Sequence, residues 1–72
     1  MSVQERDRIR VALFENSLSQ VWLINRLEEH GITTDKTELS SALSGTRRGA
    51  KIDKIIKTST EILNDYEAKM KK

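Results

Sequence analysis

The stretch Asp35-Lys36-Thr37-Glu38-Leu39-Ser40-Ser41-Ala42-Leu43-Ser44, followed by Gly45-Thr46-Arg47-Arg48-Gly49-Ala50-Lys51, decides how the rest of the chain is read. Its first ten residues carry the punctuation of a short helix. Asp35 can accept from the backbone N–H two or three residues on, Glu38 can reach back as in a capping box, and Gly45 can take the left-handed position that ends a helix. Only Leu39, Ala42 and Leu43 are apolar, at i, i+3 and i+4, so one narrow stripe faces a core. The other face carries Lys36, Thr37, Ser40, Ser41 and Ser44. Short hydrogen-bonding side chains let a helix approach base edges in a DNA major groove, and the arginines of the following loop can bind phosphates.

Downstream of Gly49 the apolar residues are Ile52, Ile55, Ile56, Ile62, Leu63, Tyr66 and Met70. Positions 52, 56, 59, 63, 66 and 70 alternate spacings of four and three, with Ser59 the one polar member. No glycine or proline interrupts, so one helix of about 20 residues and about 30 Å is expected over 50–70. Its first half should close the core. The second half, with Ile62, Leu63, Tyr66 and Met70, either packs within the chain or meets another one. Lys69, Lys71 and Lys72 suit the negative end of a helix.

Upstream, Gly31 is a natural stop for a helix that Ser19 opens, Gln20 to about His30, with Leu23, Ile24 and Leu27 as its buried stripe. Trp22 lies one residue off that stripe beside Arg26, either at the rim of the core or as a partner-contact anchor. Before it, Ser2 and Glu5 form a second capping box, and Val3, Ile9, Ala12 and Leu13 support a first helix to Glu15. The first two helices are expected to pair antiparallel, with 35–44 packed across them. The fold class is therefore all-α: a compact helix-turn-helix bundle of three short helices plus one long C-terminal helix, in one domain over 1–72 with its core in 3–60.

Composition narrows the chemistry. Seventy-two residues without cysteine have no disulfide framework. No His/Asp/Glu cluster is spaced as metal ligands, so no metal or other cofactor is expected. One histidine, no glycine-rich phosphate loop and no carboxylate pair in a plausible cleft leave no catalytic residues, and the chain is not expected to be an enzyme or to have a small-molecule substrate. The longest apolar run, Val21 to Ile24, is far too short to span a bilayer, and the charged first ten residues are unlike a signal peptide. A soluble, intracellular protein without membrane contact is expected. Thirteen basic and eleven acidic residues give a net charge of only +2. The distribution is more telling: Arg47, Arg48, Lys51, Lys54 and Lys57 face the single acid Asp53 between Gly45 and Lys57.

Ile9-Arg10-Val11-Ala12-Leu13-Phe14-Glu15-Asn16-Ser17-Leu18-Ser19-Gln20 followed by Leu23, and Leu39-Ser40-Ser41-Ala42-Leu43-Ser44-Gly45 followed by Arg47-Arg48, resemble the two halves of the lambda-repressor-like (Cro/C1-type, XRE) helix-turn-helix family. The likeness spans roughly residues 9–60. It implies that Lys36, Thr37, Ser41 and Ser40 reach base edges. It also implies that Ser19 and Gln20 bind a phosphate at the start of helix two, and that Thr46, Arg47 and Arg48 track the backbone. Two departures stand out: several extra residues between Leu23 and Leu39, and a long final helix where the family has two short ones. In size and pattern the chain is also similar to the small temperate-phage modulator-of-repression type, which implies the cytoplasm of a bacterial host.

Two functions follow as expectations. One is a Cro-like, phage-type transcription regulator that binds double-stranded DNA through helix 35–44 and the basic loop 46–51, with Arg47, Arg48 and Lys51 supplying affinity through counterion release. Useful specificity from so small a domain calls for a homodimer on two half-sites. The other is an antirepressor that binds a phage repressor protein and covers its DNA-binding surface. The modest net charge points to it, and Trp22, Ile62, Leu63, Tyr66 and Met70 would be its interface.

Overall fold

The computed structural model describes residues 3–70, with side chains from 5 to 70. The expected Ser2–Glu5 capping box, the place of Val3 in the core stripe, and Lys71 and Lys72 lie outside the described residues. Four helices follow one another, α1 (Val3–Glu15), α2 (Gln20–Glu29), α3 (Lys36–Ser44) and α4 (Ala50–Met70), and there is no strand among the described residues. The all-α expectation holds, with three short helices and a fourth of 21 residues. Among the described residues no helix is long and apolar enough to cross a membrane.

Each boundary has a local cause. Ser19 accepts a hydrogen bond at 3.1 Å from the Trp22 N–H and so caps α2. At the other end the N–H of Ile32 donates to the Leu27 carbonyl and that of Gly31 to the Glu28 carbonyl, both at 2.9 Å. This paired closure needs the left-handed φ of +83° at Gly31. It also turns Ile32 inward, so a residue of the connecting turn joins the core. Asp35 caps α3 through the Glu38 N–H at 2.7 Å. The reciprocal half of that capping box is replaced: the Glu38 carboxylate accepts from the Thr34 hydroxyl at 2.7 Å instead. Gly45 ends α3 at φ +82°, and the Arg6 guanidinium of α1 lies over it, 3.2 Å from where a Cβ would stand. A cation thus sits at the negative end of α3. The same closure ends α1 without a glycine, as Leu18 N–H donates to the Leu13 carbonyl and Ser17 takes φ +55°.

The core is one cluster fed by all four helices: Ile9, Ala12 and Leu13; Leu23 and Leu27; Leu39, Ala42 and Leu43; and Ile52, Ile55, Ile56, Ile62 and Leu63, with Ile32 from the turn. Two expectations are corrected here. First, α1 and α2 do not form the antiparallel pair: α1 packs chiefly on α4 and then on α3, and barely touches α2. Polar contacts to α4 reinforce this choice, with Arg8 of α1 donating to Asn64, and Asn16, just past the end of α1, donating to Glu67 at 3.1 Å. Second, Ile62 and Leu63 are only 5% and 3% exposed. Both belong to the chain's own core cluster, so neither is available as an interface residue. A seam of alternating spacing reports that a stripe is buried, and the partner that buries it is here another helix of the same chain. Ser59, inside that seam, is fully buried, and among the described residues its hydroxyl has no hydrogen-bond partner.

Candidate nucleic-acid interface on the third helix

The buried stripe of α3 leaves an outward face centred on Thr37, Ser41 and Ser44, with Ser40 and Lys36 toward one flank and Glu38 toward the other, as the 100° step of a helix requires. Lys36, Thr37, Ser40 and Ser44 are exposed and Ser41 is half-buried. The four residues expected to reach bases therefore share one surface, three of them exposed. Ser41 is partly used internally. Its carbonyl accepts from the N–H groups of Gly45 and Thr46 and from the hydroxyls of Ser44 and Thr46.

On the first flank the Ser40 hydroxyl donates to the Gln20 side-chain oxygen at 3.1 Å. That bond joins the first residue of α2 to the outer face of α3. Arg10 of α1 completes this side, lining a shallow groove of about 210 Å³ with Gln20, Ser40, Leu43 and Ser44. Arg10 was not among the sequence candidates. Its placement depends on how α1 lies against α3, which no local spacing records.

On the second flank Glu38 is the hub. Lys51 stands 3.1 Å from its carboxylate and Arg47 3.9 Å away, while Thr34 donates from the other side. The Thr34 hydroxyl, then Lys51, holds the Glu38 carboxyl below the usual carboxylate range; burial and the nearby Asp35 oppose them and are outweighed. Two of the expected phosphate ligands, Arg47 and Lys51, are thus exposed but tethered to an acid. Arg48 is exposed and, among the described residues, has no ion-pair partner. Ser19 and Thr46 are exposed and carry out structural bonds, Ser19 as the α2 cap and Thr46 against Ser41 and Ser44. Comparison with family models, curated proteins and solved structures finds no match.

The remaining candidates lie apart from α3. Trp22 is half-buried and meets Tyr66 edge to face, with ring centroids 5.3 Å apart at 73°. The Arg26 guanidinium lies 5.8 Å from the Trp22 ring centroid and pairs with Glu29 at 3.1 Å. Trp22 and Tyr66, both half-buried, thus tie α2 to the end of α4. Met70 is 66% exposed. The more prominent apolar surface is on α1, where Phe14 is 83% and Val11 52% exposed. Sequence carried a signal for it, because 11 and 14 fall off the stripe formed by 9, 12 and 13.

Proposed function

We propose that the chain is a DNA-binding transcription regulator of the Cro-like, phage-switch kind, laying α3 in a major groove with Lys36, Thr37, Ser40 and Ser41 toward the bases. The observation that carries this reading is the Gln20–Ser40 hydrogen bond, which unites the start of α2 and the outer face of α3 in one polar surface. Helix starts offer free N–H groups to a phosphate, and short side chains let a helix approach base edges. Arg10, which lines the groove beside Ser40, and the exposed Arg48 of the following loop add cations that phosphates can meet. The test is a salt titration of binding to random duplex DNA, followed by selection of a preferred sequence. Arg48→Ala should weaken all sequences alike and reduce the salt slope by about one unit, whereas Thr37→Ala should narrow the gap between preferred and random DNA. Equal losses on both kinds of DNA for both variants would overturn the base-reading roles.

A second reading is supported by the Glu38 hub, which occupies Arg47 and Lys51 and so diminishes the loop as a phosphate clamp. In this reading the chain is an antirepressor whose target is a repressor protein. Negligible binding to duplex DNA at low salt, together with complex formation that survives high salt, would favour it over the first.

A further inference from the structure

α1 is buried on one side and carries a second apolar feature on the other. Phe14 and Val11 lie a turn apart on the outward face and form, with Asp7, Arg10 and Glu15, an open hollow of about 540 Å³. Phe14 is 83% exposed, so most of its ring has no cover within its own chain. The residues around it are ordered: Arg10, Val11, Phe14 and Glu15 occupy successive g, a, d and e places of a heptad, the two apolar ones at the seam and opposite charges on its two edges. Among the described residues neither Arg10 nor Glu15 has an ion-pair partner within the chain.

We propose that this face binds a second copy of the chain, the two α1 helices side by side and pointing the same way about a two-fold axis along the seam. The charge pattern selects both the partner and the direction. In a parallel pair the g residue of one helix stands opposite the e residue five places on in the other, so Arg10 meets the second copy's Glu15 twice, around a centre of Val11 and Phe14. An antiparallel pair would set Arg10 against Arg10 and Glu15 against Glu15. Asp7, at the preceding d place, ends the seam after one heptad. The contact is therefore small, in the class of weak and reversible interfaces. This proposal goes beyond the DNA reading and does not rest on it.

The experiment is sedimentation over a wide concentration series at low salt, on the intact chain without DNA. The wild type should self-associate as concentration rises. Phe14→Ser should be monomeric throughout while its thermal midpoint stays unchanged, since the side chain is exposed. Arg10→Glu alone and Glu15→Arg alone should each be monomeric, because each makes every cross-pair repulsive. An equimolar mixture of the two should associate again, because each then offers the charge the other lacks. A wild type that stays monomeric, single reversals that leave association intact, or a mixture that fails to recover it would each overturn the proposal.

Discussion

Replacing Glu38 by glutamine probes the hub that joins α3, the turn before it and the start of α4. The carboxylate accepts from Thr34 at 2.7 Å and pairs with Lys51 at 3.1 Å and, more loosely, with Arg47 at 3.9 Å. A hydrogen bond to a charged group contributes about 1.5–3 kcal/mol, against about 0.5–1.5 for a neutral one. Glutamine keeps an acceptor for Thr34, so about 1 kcal/mol is lost there. Lys51 and Arg47 are more than half exposed, and solvent screening reduces their joint share to about 0.5 kcal/mol. Glu38→Gln should thus destabilise by about 1–1.5 kcal/mol, lowering the midpoint by several degrees, since each kcal/mol corresponds to about 4–8 °C in a domain of this size. Circular dichroism melts at pH 7 and pH 3 measure it. Because the folded carboxyl is held below its ordinary range, its stabilisation is present above the unfolded value, near about 4.3, and is lost as pH falls through the folded one. Wild type and variant should therefore converge in acid. A gap of the same size at both pH values, or none at pH 7, would refute the assignment. The variant also releases Arg47 and Lys51, so its binding to random duplex should tighten, with the salt slope steeper by about 0.9 for each phosphate gained.

Ser59→Ala should stabilise the fold by about 1–2 kcal/mol, because it removes a buried hydroxyl without a partner and adds helix propensity in α4; a lower denaturation midpoint in urea would show the hydroxyl to be used. Ser17→Gly should add about 0.5–1 kcal/mol by relieving a left-handed φ of +55° that glycine adopts without penalty, read from the same titration. Gly31→Ala should cost about 1 kcal/mol or more for the converse reason at φ +83°, although open space surrounds the position, so steric clash cannot account for the loss. Tryptophan fluorescence should change when Tyr66→Ala removes the edge-to-face ring from Trp22; an unaltered spectrum would mean the contact is not populated in solution.

Helix extents were legible because their signals are local. The caps at Ser19 and Asp35 and the stops at Gly31 and Gly45 all act as their residue types suggest. Stripe membership was legible for the same reason, from Ile9 to Ile56, except at Ile24, which was expected in the buried stripe of α2 and lies half-buried against the core instead. What could not be read is which stripe covers which. Ile62 and Leu63 carry the same spacing whether they are covered within the chain or by another one, and only the packing of the other helices on α4 decides it. Ile32 was missed because it belongs to no periodic segment; it is buried by the geometry of the helix end before it. The shared surface of α3 was foreseen from Lys36, Thr37, Ser40 and Ser41. Its flanks were foreseen only in part: Gln20 was named from the start of helix two, whereas Arg10 arrives through tertiary packing and Glu38 exchanges its expected capping role for a bond to Thr34 and two cations.

The dependence of α1 on α4 has a consequence during synthesis. α1 leaves the ribosome first, yet Ile9, Ala12 and Leu13 obtain their main cover only when the fourth helix follows, with α2 and α3 made in between. At about 5–20 residues per second the wait lasts seconds, whereas a short helical chain collapses in microseconds to milliseconds once all its parts are present. Through that interval the nascent α1 displays apolar residues on both sides, the pair Val11 and Phe14 included. A holdase or protease that reads such segments would meet this chain while it is being made far more readily than after α4 has closed over it.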